Sequence, residues 1–191
     1  MCPSSYTISL IRLYKKSGWN VNLKPFIRIV PDYPASGILF RDITPLLASV
    51  EIFTFIVDNF CENLYKKNLD ALCAIDARGF IFGAPVAYKL NLPFIPLRKE
   101  GKLPPEIVSV DYSLEYGNTK LEIRDDSIKK GQQIAVVDDL LATGGSALAA
   151  SKLISKLGGM VNTYLFVVEL AELKGRERLP HDAEVISLLL D

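Results

Sequence analysis

The chain has 191 residues, and its 22 Lys and Arg balance 22 Asp and Glu, so the formal net charge at neutral pH is zero. No basic surplus is present to neutralise a run of phosphates, which excludes a general nucleic-acid binder. Hydrophobic residues make up 49% and charged residues 23%, a composition typical of a globular protein rather than of disorder, collagen or a coiled coil. The length allows one domain of ordinary size.

The cysteine pattern and the apolar stretches indicate a cytoplasmic protein without a membrane partner. The three cysteines are scattered and form no CxxC pair, so neither a disulfide framework nor a zinc site is expected. The apolar stretch 46–57 is interrupted by Glu51 and falls short of the roughly 18 residues that a membrane span needs. The patch Ile8–Ile11 is too short for a signal peptide. Residues 1–22 match no periodic pattern and are interpreted as an N-terminal extension to one domain over 23–191.

Apolar strands alternate with helical patterns along the chain, which predicts a mostly parallel sheet flanked by helices. The first predicted helix covers residues 46–64, because Thr44 and Pro45 before it supply an N-cap and a first-turn proline. The other predicted elements are, in chain order, a buried strand over 71–75, a helix over 84–90, a strand over 93–97, a long loop over 101–110, a strand-like segment over 112–123, a strand over 133–137, a helix over 146–157 and a strand over 164–168.

Two acidic residues and a small turn follow the predicted strand 133–137. Asp138 and Asp139 come at its carboxyl end, which is where ligands bind in open parallel sheets. Glycines in the turn allow backbone N–H groups to face a ligand, and the start of the next helix adds partial positive charge. We therefore predict a monophosphate cradle formed by Ala142, Thr143, Gly144, Gly145 and Ser146. No Lys follows the glycines as in a Walker loop, and the twin carboxylates suit sugar hydroxyls or magnesium-linked waters.

Residues 136–146 resemble the phosphoribosyl pyrophosphate (PRPP) signature of type I phosphoribosyltransferases. Other segments, from about residue 23 to the C-terminus, resemble the adenine-specific members of that family. Those segments are Pro31–Pro34, Gly37–Pro45, Asp76–Phe80, Arg98–Lys99 with Gly101–Pro104, Tyr112–Gly117 and Leu173–Glu177. The resemblance implies an α/β fold of a single domain, the type I phosphoribosyltransferase fold, with a twisted sheet, a small hood and a flexible lid loop.

The resemblance also implies a reaction in purine salvage. The 5-phosphoribosyl group of PRPP would be transferred to N9 of adenine, which gives AMP and pyrophosphate. Mg²⁺ is the implied cofactor, bound through the substrate and reached by Asp138 or Asp139 through water at most. A homodimer is the usual state of the family.

Individual roles follow from the same resemblance. Asp138 and Asp139 would hold the ribose hydroxyls, the cradle would hold the 5-phosphate, and Glu115 is the implied catalytic residue, which manages the proton of the purine. The remaining implied groups are pyrophosphate-binding Asp76, Ala77, Arg78, Arg98 and Lys99, adenine-binding Leu39, Phe40 and Arg41, and the lid residues Lys102, Tyr112 and Tyr116. Ala77 stands where the family more often has Ser, so a hydroxyl contact is missing there.

Two alternatives keep the fold and change the function. One is a transferase of xanthine or a 6-oxopurine, and the other is a regulator that senses PRPP without transferring it. Ala142 favours adenine, because the 6-oxopurine transferases are implied to carry an acidic residue at this position. The retention of Glu115, Arg78 and Lys99, without an effector module, favours an enzyme. His181 has no evident partner in the sequence and no assigned role.

Overall fold

The computed structural model describes residues 21–113 and 118–191. Its contacts divide the chain into two compact units, with the boundary after Asn59. Within the described ranges, no helix is long and apolar enough to cross a membrane.

The N-terminal unit contains an antiparallel pair of strands, β1 (Arg28–Pro31) and β2 (Leu39–Asp42). A short helix, α1 (Thr44–Leu47), follows β2. The carboxylate of Asp42 accepts hydrogen bonds of 2.9 Å from both the backbone N–H and the hydroxyl of Thr44. The side chain of Asp42 thereby satisfies a donor at the start of this helix.

Helix α2 (Val50–Leu64) begins after a break at Ala48 and Ser49. The Ser49 hydroxyl accepts a hydrogen bond of 3.3 Å from the backbone N–H of Ile52, which is the contact of an N-cap. The prediction of one continuous helix over 46–64 is therefore wrong, because Ser49 starts a new helix inside that range.

The C-terminal unit is built on a seven-stranded sheet with the order β5-β6-β4-β3-β7-β8-β9. Strands β4, β3, β7, β8 and β9 are parallel, whereas β5 and β6 form an antiparallel hairpin beside β4. The strands are β3 (Ala71–Ile75), β4 (Phe94–Lys99), β5 (Ile107–Ser113), β6 (Asn118–Arg124), β7 (Gln133–Leu141), β8 (Met160–Glu169) and β9 (Glu184–Leu190). The predicted α/β class with a mostly parallel sheet is confirmed.

Two helices flank this sheet. Helix α3 (Arg78–Leu90) packs against β3 and β7, and helix α4 (Gly145–Lys156) packs against β5, β6 and β8. All five residues of β3 are buried. Because neither face of this strand reaches water, it appears in the sequence as a continuous apolar run rather than as an alternating one.

Several elements extend beyond their predicted ends. Strand β7 continues to Leu141, so Asp138 and Asp139 lie within the strand and not in a loop after it. The pairing with β8 reaches Leu141 opposite Glu169, and these ladder hydrogen bonds keep polar residues in the strand. Helix α3 starts at Arg78 rather than at residue 84. The predicted long loop 101–110 is also wrong at its end, because its residues from Ile107 onward pair with β6.

Candidate active site

The carboxyl ends of β3 and β7 bring two predicted groups of residues together. These strands are parallel neighbours, with Ala74 opposite Val137. Asp138 and Asp139 therefore stand beside the segment that leads from β3 into α3. Within that segment, Nε of Arg78 lies 2.9 Å from Oδ2 of Asp139. Arg78, a predicted pyrophosphate-binding residue, thus forms an ion pair with one of the twin acids.

Gly79 makes this close approach possible. A Cβ atom at this position would lie 2.7 Å from the carbonyl oxygen of Val137 and 3.1 Å from Oδ1 of Asp138. No side chain fits without displacing the backbone of β7. Glycine is required at this helix start because the first turn of α3 packs directly on the strand that carries the acids.

The two acids differ in their surroundings. Asp139 is 2% exposed and pairs with Arg78, whereas Asp138 is partly exposed and lines the cavity at the phosphate turn. The Asp139 backbone N–H donates a hydrogen bond of 2.9 Å to Oδ1 of Asp138. Burial raises the pKa of both carboxyl groups, and the pKa of Asp138 is raised further by repulsion from Asp139. For Asp139, the nearby Arg78 guanidinium offsets part of this rise.

The predicted phosphate cradle encloses a cavity of about 100 Å³ at the start of α4. Gly144 has a φ of +79° and directly precedes this 12-residue helix. The first backbone N–H groups of α4 have no partner within the helix, and such groups at a helix start can bind an anion. The cavity is lined by Asp138, Leu140, Leu141, Ala142, Thr143, Gly144, Gly145, Ser146, Ala147 and Phe166.

The other predicted pyrophosphate residues lie at the ends of β3 and β4. Oδ2 of Asp76 accepts hydrogen bonds from Nε of Arg98 at 2.9 Å and from the backbone N–H of Lys99 at 3.3 Å. Partial burial raises the pKa of Asp76, but these hydrogen bonds outweigh it and the pKa lies below its usual value. The Arg98 guanidinium also lies 5.8 Å from the ring centre of Phe80. Arg98 is therefore held by protein groups, while Lys99 is exposed.

The predicted adenine-binding residues lie on β2 in the N-terminal unit. The ring of Phe40 meets the ring of Tyr33 edge to face, with centroids 5.2 Å apart. Nη1 of Arg41 donates a hydrogen bond of 2.7 Å to the carbonyl oxygen of Leu39. The assignment of Leu39, Phe40 and Arg41 to adenine stays a prediction.

The predicted lid residues fall in different places. Lys102 is exposed in the loop between β4 and β5, whereas Tyr112 is a buried residue of β5. Burial raises the pKa of Tyr112, and a hydrogen bond with Ser146 opposes that rise. Tyr112 thus touches the cradle from a strand rather than from a loop. Glu115 and Tyr116 lie outside the described residues.

Two residues that the sequence analysis did not assign to the site also contact the cradle. Nη1 of Arg178 donates a hydrogen bond of 3.1 Å to the carbonyl oxygen of Thr143. The backbone of Gly175 packs directly on Ala142 and Gly144. The only available signal was the segment Leu173–Glu177, which carried part of the resemblance without an assigned role.

A mostly parallel sheet, whose central strand carries two acids near its carboxyl end and leads into a glycine-containing turn, defines the type I phosphoribosyltransferase class. Residues 42–190 match the family model described as "Phosphoribosyl transferase domain". The chain belongs to this family.

Several proteins similar to this chain are named adenine phosphoribosyltransferase. An adenine phosphoribosyltransferase of Clostridium botulinum (strain Loch Maree / Type A3) is 48% identical over 159 residues, which are 83% of this chain and 92% of that protein. One of Methanococcus maripaludis (strain C5 / ATCC BAA-1333) is 51% identical over the same shares. The chain is also similar to the crystal structure of adenine phosphoribosyltransferase from Thermoanaerobacter pseudethanolicus, with 45% identity, a TM-score of 0.84 and coverage of 88% of this chain and 98% of that chain. The Saccharomyces cerevisiae enzyme, solved with an imino-altritol bisphosphate and adenine, gives 38% identity, a TM-score of 0.81 and coverage of 87% and 96%.

Proposed function

We propose that this chain transfers the 5-phosphoribosyl group of PRPP to N9 of adenine, with AMP and pyrophosphate as products, in purine salvage. One observation carries the proposal. The twin acids Asp138 and Asp139 stand next to a phosphate-sized turn, and Arg78 reaches Asp139 from the neighbouring strand end. The names of the similar proteins support adenine as the acceptor.

The chemistry explains why these groups belong together. Breaking the bond at the anomeric carbon leaves positive charge on the ribose and negative charge on the departing pyrophosphate. The carboxylates of Asp138 and Asp139 bind the ribose hydroxyls and stabilise the developing cation. The turn over 142–146 binds the 5-phosphate, and Arg78 and Lys99 supply positive charge toward the pyrophosphate. Glu115 takes up the proton of the purine.

Mg²⁺ fits this site as an ion bound mainly by the substrate. In the described part of the chain, no group of three or more His, Cys, Asp or Glu residues could hold a metal. Asp138 is partly exposed and its pKa is raised, which suits a carboxylate that gains a positive partner when substrate binds. Mg²⁺ would neutralise charge on the pyrophosphate, and Asp138 or Asp139 would reach it through water.

Base selection is proposed to depend on Ala142 and on the segment 39–41. Adenine presents a 6-amino donor and an unprotonated N1, which backbone carbonyl and N–H groups read without a charged side chain. With a 6-oxopurine, these backbone groups would be covered by the base without a matching partner, at about 1 to 3 kcal/mol for each.

A base panel tests the proposal. PRPP and Mg²⁺ are supplied with adenine, hypoxanthine, guanine or xanthine, and nucleotide formation is followed. We expect adenine to be preferred by at least about a hundredfold in kcat/KM, which corresponds to two such mismatches. Comparable efficiency with hypoxanthine or xanthine would assign the chain to the other purine class. Binding of PRPP without transfer to any base would favour the sensor alternative.

A homodimer is also proposed, on the basis of an exposed apolar stripe on α3. Ile81 is 38% exposed and Tyr88 is 87% exposed, and exposed Ala84 lies between them at helical spacing. Sedimentation should give a dimer for the wild type, and Tyr88→Asp should weaken it. A monomeric wild type would contradict this proposal.

We further propose a cytoplasmic location and a transferase domain over residues 23–191. The three cysteines are scattered along the sequence and form no CxxC pair, a pattern that is usual in a reducing compartment. Expression of residues 23–191 alone should give a folded, active protein. Loss of folding on removal of residues 1–22 would contradict the boundary.

A further inference from the structure

The segment 174–178 packs on the outside of the phosphate cradle. Gly175 is buried, and a Cβ atom on it would lie 2.1 Å from the carbonyl oxygen of Ala142 and 2.9 Å from the backbone nitrogen of Gly144. In return, a Cβ atom on Gly144 would lie 2.4 Å from the carbonyl oxygen of Gly175. The two backbones therefore touch, and each position requires glycine. The position of this segment is therefore tied to the position of the turn over 142–146.

An ion pair holds this segment in place. Nε and Nη2 of Arg176 donate to the two carboxylate oxygens of Glu169, at 3.0 and 2.5 Å. Nη1 of Arg176 donates to the carbonyl oxygen of Val185 at 2.6 Å. The Ser187 hydroxyl donates to Glu169 at 2.6 Å. A two-pronged pair with these additional bonds fixes the guanidinium in one orientation.

The acid in this pair lies on β8, next to the strand β7 that carries Asp138 and Asp139. Glu169 is 5% exposed and lies opposite Leu141 in the ladder between β7 and β8. The hydrogen bonds from Arg176 lower the pKa of Glu169 despite its burial, so it stays charged. The chain thus leaves β7 at the cradle, and the segment 174–178 returns to the same point from the end of β8.

We propose that Arg176 is a positioning residue: anchored on Glu169, it presses the Gly175 backbone against Ala142 and Gly144 and so sets the shape of the turn that binds the 5-phosphate of PRPP. This inference rests on the proposed function and adds a determinant of sugar-phosphate affinity. Arg178, whose guanidinium bonds to Thr143, contributes to the same contact. No part of the segment has to touch the substrate, because backbone N–H groups bind an anion well only when their orientation is fixed in advance.

The test compares Arg176→Met, Arg176→Lys, Gly175→Ala and the double variant Glu169→Gln/Arg176→Met. The double variant is included because Arg176→Met alone leaves a buried charge without its partner and lowers stability. Arg124→Met is the matched control, since the partly buried Arg124 forms ion pairs with the exposed Glu106 and Asp126 at the end of the β5–β6 hairpin. Calorimetry measures binding of ribose 5-phosphate, and steady-state kinetics measures the KM values for PRPP and adenine separately.

We expect Arg176→Met, Gly175→Ala and the double variant to bind ribose 5-phosphate at least about tenfold more weakly. The KM for PRPP should rise in parallel, while the KM for adenine changes little. Arg176→Lys should recover part of the affinity, and Arg124→Met should match the wild type.

Three results would overturn the positioning role. The first is a lower melting temperature with unchanged affinity for ribose 5-phosphate, which would make the pair purely structural. The second is an equal rise in the KM values of PRPP and adenine, and the third is an equal loss in the Arg124→Met control. A wild-type chain that bound no ribose 5-phosphate would instead contradict the proposed function itself.

Discussion

Replacement of the twin acids should make the free protein more stable and the enzyme slower. Burial and mutual repulsion raise the pKa of Asp138 well above its usual value, whereas Arg78 limits the rise at Asp139. A carboxyl group whose pKa is raised by folding opposes folding when it is charged. We therefore expect Asp138→Asn to raise the free energy of unfolding at pH 7, and to raise it more than Asp139→Asn does.

The size of the gain follows from linkage. Each unit by which folding raises a pKa costs about 1.4 kcal/mol once the group is fully ionised. Because folding raises the pKa of Asp138 well above its usual value, we expect its gain at pH 7 to be the larger of the two single-variant gains. It should shrink as the pH falls toward the pKa of Asp in an unfolded chain, about 4, and vanish at about pH 3, where the group is protonated in both states. The double variant should gain less than the sum of the single gains, because both singles remove the same repulsion.

Denaturant unfolding at several pH values and steady-state kinetics measure the two effects. Each single variant should lose at least about tenfold in turnover, or about 1.4 kcal/mol of transition-state stabilisation. Asp125→Asn, at an exposed position, is the control and should change neither quantity. A less stable Asp138→Asn, or a gain that persists undiminished at about pH 3, would refute the electrostatic reasoning. Near-normal turnover of the double variant would show that the two acids do not bind the ribose.

Two further predictions concern the start of α3 and the base. Gly79→Ala and Gly83→Ala should each cost about 1 to 3 kcal/mol of stability, because their Cβ atoms would lie 2.7 Å from the Val137 carbonyl oxygen and 2.6 Å from the Ala74 Cβ. Only Gly79→Ala should also lower turnover, by about tenfold, because it displaces Asp138. Equal turnover losses in the two variants would contradict a specific effect of Gly79 on the site. Glu115→Leu should slow catalysis while calorimetry shows nearly unchanged PRPP binding, and weaker binding with normal turnover at saturation would instead make Glu115 a lid or structural residue.

Local patterns in the sequence were sufficient to predict the class of fold and the glycine turn before α4. The apolar run 71–75 was predicted as a buried strand and forms β3 with the same bounds. The turn at Gly144 was also predictable, because glycines between a strand and a helix adopt backbone conformations that other residues rarely adopt. Both signals lie within a few consecutive residues and need no knowledge of distant parts of the chain.

Tertiary structure decided the features that join distant residues. The ion pair of Arg78 with Asp139 exists because β3 and β7 are neighbours in the sheet. Strand β7 continues through the acids because β8 supplies hydrogen bonds as far as Leu141. The contact of Gly175 with Ala142 spans more than thirty residues of the chain. Such contacts depend on which strands pair and on how closely backbones approach, and these are properties of the packed chain rather than of any local sequence pattern.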